Sequence, residues 1–381
     1  MRKDQFESPD YYMVEKLFSE EQIIVRDATR QWVKEYVSPI IEDYNLKGVF
    51  PKELIKGIAE IGGFGAILPA KYGGSELDLI SYGLMMQELE RGDSSIRVMC
   101  SIQTSLVMNN IYEHGNDFHK EEFLLKLSKG ELIGSFGLSE PGHGSDPASM
   151  QTRHTIDGDH YIINGSKMWI GNAPFCDIAL VWSKSANDNY ACFIVRRNDP
   201  GFSTSKIDKK WSFRASETGE LIFDNCKVHK KYLLFESDSI NAALRSLNIA
   251  RYAVACGSIG IAMECYDVAL KYSNERTQFG KKISSNQLIQ KKLVDMITEI
   301  TKAQLLNWKL GMMMNDGDAT FEQISMAKRN NVSVAYNVAR NARQILGGMG
   351  ITAEYPVMRH LINLETLITY QGTDEIHTLI T

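Results

Sequence analysis

Four segments carry side chains and backbone suited to binding or proton chemistry. GLSEPGHGSDP (137–147) is rich in Gly, Pro and Ser. In such a loop, free backbone amides and the hydroxyls of Ser139 and Ser145 suit a phosphate or a polar ring edge; a plain turn is the alternative. QILGGMG (344–350) closes a helical stretch with three glycines. A helix C-cap needs one, so the surplus points to close approach of a ligand to the backbone. NERTQFG (274–280) sets Arg276 and Phe279 three apart, on one face if the segment is helical. The ordinary outcome of that pair is a solvated Arg beside a core Phe. YQGTDEIH (370–377) is a Gly-containing break between helical stretches, which a simple hinge also explains.

The elements that position these segments follow from periodicity. Ser19-Glu20-Glu21-Gln22 is a capping box. The helix after it, through about Val37, places Ile23, Ile24, Ala28, Trp32, Val33 and Tyr36 at helical spacing. Pro51 opens another helix, residues 69–78 form a loop, and residues 79–128 are helical again. From about Glu131 to His229 short aromatic and β-branched runs alternate with Gly, Asn and Asp clusters, which predicts an antiparallel β unit. From Ser239 the pattern is helical: Ile289, Leu293, Met296, Ile297 and Ile300 share a stripe, and Thr320-Phe321-Glu322-Gln323 is a second capping box. The fold class is therefore α+β, with a helical domain over 1–132, a β domain over 133–232 and a helical domain over 233–381. The broad apolar faces of the C-terminal helices point to subunit packing.

The 381 residues include 23% charged and 44% hydrophobic ones, with a net charge of −5. That balance excludes a mainly disordered chain and argues against a nucleic-acid binder. No apolar run approaches the roughly 20 residues of a membrane-spanning helix, and MRKDQFESPDYY reads as neither signal nor transit peptide. A soluble, cytoplasmic protein is expected. The 6 cysteines are scattered, which favours buried thiols over disulfides or zinc, and His114 and His119 do not read as metal ligands.

In order along the chain stand FGLSEPGHGSDP, NGSKMWIGNAP, KWSFRASETGELIFDNCKV, NIARYAVACGSIGIAM, ERTQFGKKI, NQLIQKKL, MAKRNN, QILGGMGITAEYPVMRH and NLETLITYQGTDEIH. From about residue 10 onward this series resembles the acyl-CoA dehydrogenase family, and the glutaryl-CoA dehydrogenases in particular. The resemblance implies an N-terminal helical bundle, a middle antiparallel β-barrel-like domain and a C-terminal four-helix bundle. It also implies a homotetramer with one FAD per subunit; relatives usually carry a short terminal helix beyond the position of Thr381. The ligand would be an acyl-CoA or acyl-carrier-protein thioester, with an electron-transfer flavoprotein as partner where the chemistry is redox. No metal is implied.

By the same resemblance, Phe136, Leu138 and Ser139 match positions lining the flavin ring, Ser145 one near the thioester, and Trp169 the aromatic on the flavin face. Arg276, Phe279 and Gln287 match FAD contacts made across a subunit interface. Gln344, Gly347, Gly348 and Thr373 match further FAD contacts. Arg251 and Tyr370 fall in the catalytic cleft. Arg97, with Ser101 beside it, matches the residue that grips a distal substrate carboxylate, a role that suits a guanidinium.

Two positions depart from the family. Its general base is a Glu where this chain has Gln371, and the alternative base position is Ala250. An amide has the shape of a carboxylate but does not accept an α-proton at neutral pH, and loss of a general base removes about 10²–10⁴ in rate. Asp374 and Glu375 lie nearby, at positions the family keeps on the FAD side. The second departure is Gly171 in WIGN, where the family has Thr or Ser, with a hydroxyl near flavin N5. Its missing side chain is expected to leave room for a differently shaped ligand. The implied readings are a diverged, redox-neutral thioester enzyme, an ordinary glutaryl-CoA dehydrogenase altered at Gln371, or a non-catalytic flavin- and thioester-binding protein.

Overall fold

Ser19 opens the first helix, α1 (Glu20–Trp32), as the capping box predicts. Ser19 Oγ accepts from the Gln22 amide at 3.3 Å, and Gln22 Oε1 accepts from the Ser19 amide at 3.0 Å. The computed structural model describes residues 8–381, so the leader reading for residues 1–7 lies outside the described residues. The buried side of α1 matches the expected apolar stripe at Trp32 and departs from it elsewhere: Gln22, Arg26 and Thr29 are buried, whereas Ile24 and Tyr36 are exposed. Ion pairing is the reason. Arg26 meets Glu15 at 2.7 Å and Arg30 meets the buried Glu88 at 3.0 Å, so charge is matched where hydrocarbon was expected.

The N-terminal helices continue as α2 (Ile41–Lys47), α3 (Leu54–Glu60), α4 (Leu79–Gly92), α5 (Ser94–Ser101), α6 (Asn109–His114) and α7 (Asp117–Ser128). Pro51 lies in the turn before α3 rather than inside it. Asp93 separates α4 from α5, extended in backbone and capping α5 through its Oδ1, which accepts from the Ser95 amide at 2.8 Å. A π-helical segment, Ile102–Met108, continues from α5.

The middle unit holds β1 (Gly134–Gly137), β2 (Arg153–Asp157), β3 (His160–Gly171), β4 (Ile178–Lys184), β5 (Tyr190–Arg196), β6 (Phe202–Lys206), β7 (Thr218–His229) and β8 (Leu233–Ser237). Their order is β6-β7-β3-β2-β4-β5-β8, with β1 beside β4. The antiparallel expectation needs one correction, because β1 and the end of β2 run parallel to β4. The nearly continuous burial of IALVW in β4 suits a strand covered on both faces. β8 pairs with β5 and carries the sheet on to Ser237.

The C-terminal part contains α8 (Asn241–Ser246), α9 (Asn248–Glu275), the hairpin β9 (Thr277–Gln278) and β10 (Lys281–Lys282), then α10 (Gln287–Asn315), α11 (Phe321–Ile345), α12 (Val357–Thr369) and α13 (Asp374–Ile380). The stretch Asn241–Glu275 is long and apolar enough to cross a membrane, contrary to the sequence reading, yet nearly all of its apolar window is buried in the protein. It is apolar all round because α9 is the central helix, packed by α4, α10 and α11. Gly257 and Gly260 permit the contact with α4: a Cβ on Gly257 would lie 1.8 Å from Glu90 Oε2, and one on Gly260 would lie 2.0 Å from the Gln87 carbonyl. All six cysteines are free and buried, as expected.

Candidate active site

Asp93 breaks the helix between Glu90 and Arg97, and the two side chains meet in the core. Arg97 donates from Nε to Glu90 Oε2 at 2.7 Å and from Nη2 to Glu90 Oε1 at 2.9 Å. This is a two-point, charge-assisted pair. Arg97 also donates to Ser101 Oγ at 3.3 Å and to the Tyr370 hydroxyl at 2.5 Å. Arg97 is fully buried, so the exposed surface role open to any Arg does not apply. Its charge is matched by Glu90 before any ligand arrives. Burial, against the pull of Arg97, pushes the Tyr370 phenol up to about 12, so it stays protonated.

The next residue, Gln371, has φ +54°, a left-handed conformation that few non-glycine residues adopt. Three basic side chains hold this turn. Arg251 Nε donates to the Gln371 carbonyl at 3.0 Å, His377 Nε2 lies 3.2 Å from the same oxygen, and Lys328 Nζ donates to the Gly372 carbonyl at 2.8 Å. Burial, then the nearby Arg251 charge, brings the Lys328 ammonium down to about 7. Burial, then Lys328 and Arg251, brings His377 down to about 3, so its ring is neutral. Burial alone lowers Arg251, with no carboxylate acting on it. Gln371 Oε1 is buried without a hydrogen-bond partner. Thr373 caps α13, its Oγ1 accepting from the Ile376 amide at 3.2 Å. Asp374 sits in the first turn of α13 and faces Arg329 at 3.5 Å; Glu375 is exposed.

The 137–147 segment leaves β1 as the predicted loop. Phe136 and Leu138 are buried, Ser139 is half-buried, and Ser145 is exposed. Beneath it Lys167 donates to Glu140 Oε1 at 2.8 Å and to the Leu138 carbonyl at 3.2 Å. Glu140 also accepts from the Gln151 and Thr152 amides and from Thr152 Oγ1. Burial opposes its charge, but Lys167 and these donors hold the carboxyl at about 2. A register shift between β3 and β7 follows Lys167 and sets Trp169 at φ +66°, with its side chain turned outward and 59% exposed. Gly171 does not leave the expected space. A Cβ there would lie 2.4 Å from Ile102 Cδ1, so the π-helical segment has already filled it.

The remaining expected cofactor residues gather on the surface. Arg276 and Phe279 were read as one helical face, but α9 ends at Glu275. Phe279 (φ +52°) and Gly280 (φ +74°) form the turn of the β9–β10 hairpin, and Phe279 is 98% exposed rather than in the core. Gln287, Gln344, Gly347 and Gly348 are exposed too, with open space around both glycines, and Gln344 accepts from Lys292 at 2.7 Å. The sequence reading brought together Arg97, Ser101, Tyr370, Gln371 and Arg251. It missed Glu90, Lys328 and His377. For Lys328 a signal existed: with Ile324, Asn331 and Ala335 it falls on the buried stripe of α11, and a lysine on such a stripe calls for a partner.

These features fit the flavin expectation: an outward-turned indole, open glycines and an exposed Arg–Phe hairpin are suited to a flat ring carrying an anionic tail. Models of the acyl-CoA dehydrogenase N-terminal, middle and C-terminal domains match residues 19–131, 135–226 and 240–381. The chain belongs to the acyl-CoA dehydrogenase family. It is 35% identical to an acyl-CoA dehydrogenase of Bacillus subtilis, over 95% of this chain and 97% of the relative. A glutaryl-CoA dehydrogenase from Mycobacterium smegmatis in complex with FADH2 superposes with a TM-score of 0.94 at 39% identity, covering 96% of this chain and 94% of that one. A glutaryl-CoA dehydrogenase–glutaryl-CoA complex superposes with a TM-score of 0.91 at 32% identity, covering 95% and 94%.

Proposed function

We propose that this chain is an FAD-dependent enzyme acting on a short acyl thioester, CoA- or carrier-bound, and that it has diverged from simple α,β-dehydrogenation. The family membership and the FADH2-bound relative support the cofactor. Trp169, Phe136, Leu138 and Ser139 would flank the ring, while Arg276, Phe279, Gln287, Gln344, Gly347 and Gly348 would meet the cofactor through a second copy, in a homotetramer. Bound there, FAD supplies a hydride acceptor. Ser145 would lie near the thioester, and an electron-transfer flavoprotein is the partner if net oxidation occurs. The proposed compartment is the cytoplasm.

One observation carries the divergence: Gln371, at the family base position, offers an amide in a turn held by Arg251, Lys328 and His377. The nearby carboxylates do not replace the base, since Asp374 turns toward Arg329 and Glu90 is bound to Arg97. Ile102 in the space beside Gly171 favours this reading over a single inactivating change, because the packing takes up the missing Gly171 side chain instead of leaving a void. The test is anaerobic flavin spectroscopy with glutaryl-CoA and butyryl-CoA, with product masses measured in parallel. Slow or absent bleaching is expected; rapid stoichiometric bleaching with enoyl thioester formation overturns the proposal.

A further inference from the structure

The charges around the candidate site do not balance evenly. At one end, Arg97 is saturated by Glu90. At the other, Arg251 is 7% exposed and forms no ion pair among the described residues, while its Nε is used on the Gln371 carbonyl. Lys328 is 1% exposed and its nearest bond is to another backbone carbonyl, that of Gly372. The carboxylate acting on Lys328 is Asp374, which is 40% exposed and shared with Arg329. His377, the third basic group, is neutral. Buried cations are normally paired. The Gln371 side chain, an uncharged amide whose Oε1 is buried without a hydrogen-bond partner, brings no counter-charge to the turn that these cations hold.

We propose that Arg251, Lys328 and the Gln371 amide form a carboxylate-binding site, and that this chain selects acyl thioesters carrying a carboxylate on the α-carbon, of the malonyl type. The proposal rests on the reading of Gln371 as the residue facing the α-carbon. It moves the acidic group of the substrate away from Arg97, where the resemblance put it, to the turn at 371. The carboxylate supplies the negative charge that the Gln371 side chain lacks, and the amide Nε2 adds a hydrogen-bond donor. A distal carboxylate at Arg97 would instead have to compete with Glu90 for a guanidinium already bound at two points.

Calorimetric titration of the FAD-loaded protein with methylmalonyl-CoA, glutaryl-CoA and butyryl-CoA tests this. Methylmalonyl-CoA is expected to bind about tenfold or more tighter than either of the others, the scale of one charge-assisted hydrogen bond. Gln371→Glu, which preserves shape, should erase that preference, bringing the affinities for methylmalonyl-CoA and butyryl-CoA to within about threefold of each other. Lys328→Gln, checked for unchanged flavin content, should weaken methylmalonyl-CoA selectively. Equal affinities in the unaltered protein, a preference for glutaryl-CoA, or a preference that survives Gln371→Glu would each overturn the proposal. Flavin bleaching plays no part in these titrations, so failure of the desaturation reading is scored separately.

Discussion

Two buried lysines support two loops of the candidate site, and they do so under opposite conditions. Lys167 lies under the 137–147 loop, donates to the Leu138 carbonyl, and has Glu140 at 2.8 Å. Lys328 lies under the 370–373 turn, donates to the Gly372 carbonyl, and shares its distant Asp374 with Arg329. Burial lowers both, Lys167 to about 8 and Lys328 to about 7. The first loop is closed electrostatically: every charge beneath it is answered from within the chain. The second is open, and the uncharged residue it carries is Gln371, proposed to stand at the family base position. Comparing them separates a lysine that builds a wall from one positioned to meet a ligand.

The sharpest way to break the comparison is to close the open loop. Gln371→Glu puts a carboxylate on the turn whose backbone Arg251 and Lys328 hold. Enoyl thioester formation from butyryl-CoA should then rise about 10²–10⁴-fold, read by flavin bleaching in stopped flow. The reverse experiment opens the closed loop. Lys167→Met strands Glu140 in the core, and a loss of about 3–5 kcal/mol is expected in denaturant titration. The same substitution should lower flavin content, because the loop carrying Leu138 and Ser139 loses its support.

A smaller effect is expected at Gly171, where the end of β3 faces the π-helical segment. Gly171→Thr drives a Cβ into Ile102 Cδ1 and should cost about 1–3 kcal/mol. Ile102→Val removes the clashing carbon, so the double variant should recover much of that loss, a coupling that a double-mutant cycle measures. The smallest effect is on pH. Lys328 sits near 7, below the ordinary lysine value of 10.5, so it is charged below that pH and neutral above it. Methylmalonyl-CoA affinity should therefore fall by several-fold as pH rises through about 7, up to about tenfold for loss of one charge contact. Arg251 keeps its charge across this range, neutral His377 does not titrate in it, and Arg97 remains tied to Glu90. Lys328→Gln should flatten the profile in calorimetry at several pH values.

Local signals gave much of the scaffold. Both capping boxes form, the Gln323 Oε1 atom accepting from the Thr320 amide at 2.9 Å, and the α10 stripe of Leu293, Met296, Ile297 and Ile300 is buried as its spacing requires. What stayed hidden was decided by partners distant in sequence. Arg26 and Arg30 turn inward on α1 because Glu15 and the buried Glu88, 11 and 58 positions away, satisfy them, which periodicity does not report. The Phe279–Gly280 turn leaves little trace in the sequence because a three-residue spacing fits helix or hairpin, and left-handed backbone at a Phe is rare. At the site, the ligand-like types Arg97, Arg251 and Gln371 were visible, whereas Glu90 and Lys328 appeared as ordinary charged residues. The contribution of Ile102 at Gly171 comes from a side chain 69 positions away and has no trace in the WIGN motif.

The notch at Gly257 restricts how this site can change over evolution. Because Glu90 lies against bare α9 backbone there, even one methyl group on that helix would split the Glu90–Arg97 clamp. Remodelling for bulkier or shorter acyl groups is thereby channelled to α5, the π-helical segment after it and the turn at Gln371, and homologues with new specificities should differ on those walls while the helix behind them stays fixed.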